Sequence, residues 1–105
     1  MFNDIEVISL PEKVAIYIPS EFNSTIIDVQ TKFNNNFKGS TTTKGVGTWN
    51  GAKGLEVEDI AIIYSNVPAI TAEIIDFIVD IARDVKINCK QESVAIELNN
   101  KLFLF

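Results

Sequence analysis

The side chains best suited to chemistry fall into two groups of opposite charge. Residues 55–84 carry Glu56, Glu58, Asp59, Glu73, Asp76, Asp80 and Asp84 against a single base, Arg83, whereas residues 31–54 carry Lys32, Lys38, Lys44 and Lys53 and no acid. Asp76, Asp80 and Asp84 recur at i, i+4 and i+8, which on a helix makes one acidic row, with Glu73 a turn earlier. Like charges at that spacing cost about 0.2–0.5 kcal/mol per pair. The row therefore reads either as an ordinary solvated face or as a surface for a basic protein partner. On the basic side, Trp49 stands near Thr41, Thr42, Thr43, Lys44 and Lys53, with Tyr64 and Tyr17 on neighbouring strands. An indole stacks on a base while ammonium groups meet phosphate. The same tryptophan also suits the core or a contact with a second copy.

Other constellations are weaker. Glu56, Glu58 and Asp59 have the oxygen chemistry of a hard-cation site, but on a strand Glu56 and Glu58 share one face and Asp59 takes the other. An acidic strand that discourages edge-to-edge pairing is the simpler reading. The chain has no histidine, which removes His-based triads and most transition-metal sites. Cys89 has no imidazole to activate it, and one cysteine forms no internal disulfide. Gly45-x-Gly47 is too short for a phosphate loop. No catalytic residue, metal or cofactor is expected on these grounds, and the chain reads as a non-enzyme.

The elements that position these residues follow from periodicity. Lys13–Ile18 is β-branched and aromatic and stops at Pro19, which marks a strand; Ile5–Leu10 reads as an earlier strand paired with it across Pro11–Glu12. Phe22, Ile26, Val29, Phe33 and Phe37 repeat at three and four and form one face of a helix. Ser20 or Ser24 is the expected N-cap, and Gly39 the left-handed C-cap. Residues 40–50 form a strand in which Gly45 and Gly47 suggest a bulge or a close backbone approach. Turn signals at Asn50-Gly51 and Lys53-Gly54 send it back into residues 55–65, where Ile60–Tyr64 suits a central strand. After Pro68, with Thr71 as cap, Ile70, Ile74, Phe77, Ile78, Ile81, Ala82 and Val85 form the buried stripe of a second helix. Residues 93–98 and 101–105 flank Asn99-Asn100, which suits a type I′ hairpin turn.

The order β-α-β-β-α-β-β predicts a ferredoxin-like α+β sandwich with an extra C-terminal strand and both helices on one face of an antiparallel sheet. The 105 residues make a single domain, with 47% hydrophobic residues. No apolar run approaches membrane-spanning length, and the opening MFNDIEV lacks a basic n-region, so a cytoplasmic protein with no membrane contact is expected. A net charge of −5 argues against sequence-specific DNA binding.

Several residues together carry a family resemblance. Gly47-Thr48-Trp49, Gly54, Glu58-Asp59 and the run Gln91-Glu92-Ser93-Val94-Ala95-Ile96-Glu97-Leu98-Asn99 resemble a family of small ferredoxin-like proteins carried on bacterial plasmids, phages and conjugative elements. The resemblance covers roughly residues 40–105; Asn100 stands where that family often has glycine, a difference confined to the turn. It implies the fold and a mobile-element setting, and no reaction. The function expected is therefore a non-catalytic interaction protein of a mobile element, inhibiting a host defence factor through the acidic row Glu73, Asp76, Asp80 and Asp84. The alternative is a protein that binds or sequesters a nucleotide-like small ligand with Trp49, Lys44, Lys53 and Tyr64. A homodimer is expected, through the uncovered sheet face or the C-terminal strand, because an apolar sheet face left in water exceeds what a monomer usually exposes.

Overall fold

The computed structural model describes residue 3 and residues 5–105. Strand β1 (Glu12–Pro19) lies at the centre of a five-stranded sheet with strand order β2-β3-β1-β4-β5, where β2 is Thr41–Gly51, β3 Gly54–Val67, β4 Ala95–Leu98 and β5 Lys101–Leu104. Every pairing is antiparallel: Ile16 faces Ile63 of β3 on one side and Ile96 of β4 on the other. Helices α1 (Asn23–Phe37) and α2 (Ala72–Asn88) close the two β-α-β halves. The architecture is the ferredoxin-like α+β sandwich expected, with β5 as the added edge.

Alternation along β1 sends Val14, Ile16 and Ile18 into the core, where each is wholly buried. Ile26, Val29 and Phe33 of α1 and Ile78, Ile81, Ala82 and Val85 of α2 meet them, so both apolar stripes face the sheet as the spacing predicts. Phe33, Phe37 and Phe77 form a three-ring cluster between the helices, with centroids 5.2–5.9 Å apart. The tilted and edge-on packing suits the ring quadrupoles. Cys89 is buried at the end of α2, its thiol 3.6 Å from Thr25 Oγ1 of α1. Among the described residues no helix is long and apolar enough to cross a membrane.

Several local expectations are corrected. Ile5–Leu10 forms no strand, because β3 and β4 already occupy both edges of β1. The N-cap of α1 is Phe22, with no side-chain cap bond. Ser20 falls two residues too early and Ser24 lies inside the helix, so neither hydroxyl reaches the free amides. The left-handed residue closing α1 is Lys38 (φ 71°), whose N–H donates to Asn34 O at 2.8 Å, and not Gly39. Pairing of β2 with β3 runs without a break from Thr41↔Tyr64 to Gly51↔Gly54, so the glycines at 45 and 47 mark no bulge. In the last hairpin Asn99 has positive φ and Asn100 does not, so the turn is not type I′. Asn99 is instead tied to β1: its N–H donates to Lys13 O at 2.7 Å and its Oδ1 accepts from Lys13 N at 2.9 Å. The Thr71 cap is as expected, its hydroxyl accepting from Ile74 N at 3.3 Å.

The β2–β3 hairpin runs past the helices, and the molecule measures 58 × 26 × 23 Å as a result. In this arm Val46, Leu55 and Val57 stay exposed although they lie on the helix side of the sheet.

Two substitutions separate the buried and solvated faces of α2. Ile78→Ala should lower unfolding free energy by about 3 kcal/mol in denaturant titration, because a wholly buried side chain leaves a cavity. Asp80→Asn should change it by less than about 0.5 kcal/mol, since Asp80 is exposed and only 4.0 Å from an equally exposed Arg83.

Candidate functional site

Where α1 ends and α2 begins, two hollows meet. One of about 690 Å³ lies between the last turn of α1, the end of β3 and the first turn of α2; the other, about 420 Å³, lies between that last turn and the start of β2. Leu10, Phe37 and Asn66 line both, so they are parts of one cleft. Its size suits a small molecule.

Each wall has a local cause. The left-handed turn at Lys38 ends α1 and turns the chain toward β2, and Ser65 Oγ fastens that turn by donating to Gly39 O at 2.6 Å. Thr71 starts α2, and the Glu12 carboxylate accepts from Ile70 N just before it. The floor is aromatic, from Phe37 and Phe77; Glu73 and Lys38 bring opposite charges to the mouth, and Tyr64 and Thr41 close the far end. Residues Ile8 and Leu10 of the irregular N-terminal stretch border the cleft, where Asn66 Nδ2 donates to Leu10 O at 3.3 Å.

Beyond Tyr64 the cleft meets the sheet face that the helices leave open. Strand register puts Lys13, Ala15 and Tyr17 of β1 beside Tyr64 and Ile62 of β3 there. Lys13 Nζ lies 4.3 Å from the centre of the Tyr64 ring. Tyr17 OH donates to Glu97 Oε1 at 2.9 Å. Burial, then that hydrogen bond, then the negative charge of Glu97 all raise the Tyr17 pKa above the ordinary 10.0.

The residues singled out from the sequence fare unevenly. Glu73 stands at the cleft mouth and Tyr64 at its far end. Asp76, Asp80 and Asp84 continue from Glu73 along the exposed face of α2, where Asp80 approaches Arg83 and Asp84 approaches Lys32, each at 4.0 Å. Trp49, Lys44 and Lys53 do not assemble into one site with Tyr64. Trp49 pairs with Glu56 and Tyr64 with Thr41, about 26 Å apart along the ribbon at 3.3 Å per residue. Lys44 and Trp49 are five residues apart on one strand and so take opposite faces, while Lys53 sits in the turn. Lys44 instead borders a separate hollow of about 300 Å³ with Ser20 and Asp59. Strand parity likewise sets Asp59 on the face opposite Glu56 and Glu58. Sequence reasoning missed Phe37, Phe77, Lys38 and Asn66. Both phenylalanines had been assigned to helix stripes, and their place at helix ends beside turn residues was the available signal.

No protein-family model matches the chain, and no curated protein matches it. Two solved structures share its fold. A phage SAM lyase in the apo state superposes with a TM-score of 0.73 at 13% identity, over 96% of this chain and 94% of that one. A phage SAM lyase in complex with S-methyl-5′-thioadenosine gives a TM-score of 0.67 at 10% identity, over 97% of this chain and 94% of that one. Their phage origin agrees with the phage part of the family resemblance. They overturn the expectation of a non-enzyme that inhibits a host factor through its acidic row, since the proteins of this fold are lyases and one holds a nucleoside thioether. The alternative, a nucleotide-like small ligand, is the reading that these structures favour.

The open-face pair has a measurable signature. With Tyr64→Phe as background, the Tyr17 phenolate should appear above pH 10.0 in ultraviolet difference titration, and Glu97→Gln should lower its midpoint without fully restoring it, because burial is the larger cause. The stability tied to this proton is complete below the unfolded phenol value and is lost as pH rises through the raised one.

Proposed function

We propose that the chain binds S-adenosylmethionine in the cleft beside Phe37, Phe77 and Glu73 and cleaves it to S-methyl-5′-thioadenosine. The observation that carries this reading is the composition of the cleft: aromatic faces with one carboxylate at the mouth, on a fold shared along nearly its whole length with S-adenosylmethionine lyases. A sulfonium is attracted to both, by the ring quadrupole and by opposite charge.

The chemistry explains why so few reactive residues are needed. A sulfonium is already a good leaving group. When its bond to the γ carbon breaks, the electron pair goes to sulfur, which leaves as a neutral thioether. The substrate's own carboxylate supplies the incoming pair, attacking the γ carbon and closing a five-membered lactone. One positive and one negative charge cancel, and no proton changes hands. The protein has only to fold the methionine portion back on itself and keep water out. Charges that cancel in the transition state are better served by an apolar cleft than by water, which stabilises the separated ions. The Phe37 and Phe77 rings supply that surroundings and a surface for adenine, and Glu73 holds the ammonium group. A chain without histidine and without an acid/base pair is competent for this reaction.

The test is direct. Incubation with S-adenosylmethionine should yield S-methyl-5′-thioadenosine and the lactone in equal amounts by chromatography and mass analysis. Glu73→Gln should raise KM about tenfold with little change in kcat, as expected for losing one charge-assisted contact made equally in ground and transition states. Folded protein that neither turns over S-adenosylmethionine nor binds S-methyl-5′-thioadenosine calorimetrically would refute the proposal.

A further inference from the structure

The arm of the β2–β3 hairpin has apolar side chains and nothing to bury them. Val46, Leu55 and Val57 are 63%, 69% and 60% exposed on its helix side, and Trp49 is 46% exposed on the other. The helices end short of it, so from Val46 to Val57 the ribbon is two strands thick with solvent on both faces. A two-stranded hairpin alone is marginally stable in water, and exposed apolar residues clustered on one face mark an interaction site.

We infer that a second copy of this chain covers the arm, with Val46, Leu55 and Val57 of one copy packing on the open sheet face of the other around Leu102 and Leu104. The charge pattern favours a like partner. Residues 46–57 hold one base, Lys53, and one acid, Glu56, within a chain of net charge −5. The arm is thus the part of the surface where two acidic molecules meet without repulsion, and it presents no charge for a strongly basic or acidic partner to match. The receiving surface is on the same chain. Leu102 and Leu104 of β5 point to the sheet face that no helix covers, and are 56% and 68% exposed. Every copy therefore carries an unsatisfied apolar projection and an unsatisfied apolar face. This contact is independent of the proposed reaction.

Sedimentation equilibrium of the full chain tests it. The wild type should associate at micromolar concentration. Val46→Lys combined with Val57→Glu should weaken association by about two orders of magnitude, from the loss of two buried aliphatic side chains. Leu102→Asp combined with Leu104→Lys should do the same. Both pairs are exposed, so circular dichroism and thermal unfolding of the monomer should stay native. A wild type that remains monomeric at high micromolar concentration overturns the inference. So does an arm variant that still associates, which would place the interface elsewhere. An arm variant that is monomeric beside a β5 variant that still associates overturns the arm-to-face pairing.

Discussion

Strand β1 is the constraint on which the other elements depend. It is hydrogen-bonded along its length to β3 and, over Val14–Ile16, to β4, and its inward residues Val14, Ile16 and Ile18 are wholly buried. Each β-α-β half places one strand against it, so both helices must lie on the same side to cover one continuous apolar strip. Ladder hydrogen bonds satisfied on both sides also exclude any further strand. The apolar N-terminal stretch is for that reason left irregular, running beside the cleft instead of joining the sheet. The cleft is a consequence of the same arrangement: two helices of different length, started from opposite ends of neighbouring strands, leave a gap where one ends and the other begins.

Much of the fold could be read from the chain, because the physics involved is local. Both helix stripes, from Ile26 to Phe37 and from Ile70 to Val85, follow from a 3.6-residue period, and the Thr71 cap from a hydroxyl just before an apolar run. Ile60–Tyr64 reads as central because it is apolar toward both faces. Errors arose where one residue of register decides the outcome. Lys38 takes the left-handed position in place of Gly39, and Phe22 the cap position in place of a serine, because the turn that follows Pro19, closed by Phe22 N donating to Pro19 O, sets where α1 begins.

The candidate site was less legible for a physical reason. Its walls come from the N-terminal stretch, the end of α1, the end of β3 and the start of α2, and no local period joins Leu10, Phe37, Asn66 and Glu73. The grouping of Trp49 with Lys44 failed on parity, since residues five apart on a strand face opposite ways. The search for a nucleophile or a base was also directed at the wrong partner. In a sulfonium cleavage those parts belong to the substrate, and the protein contributes shape, aromatic surface and dryness, which leave only a faint mark in composition.

Lys38 gives one of these features an evolutionary meaning. A lysine at φ 71° carries a backbone cost of about 1 kcal/mol that glycine escapes, and Gly39 stands immediately after it. Moving the glycine one place back would give a more stable helix end, but it would remove an ammonium group from the mouth of the cleft. Strain of this kind persists where stability and use pull apart. Position 38 is thus a place where selection for thermal robustness alone would drive the chain toward glycine, and where descendants that still depend on the cleft would keep the strained lysine.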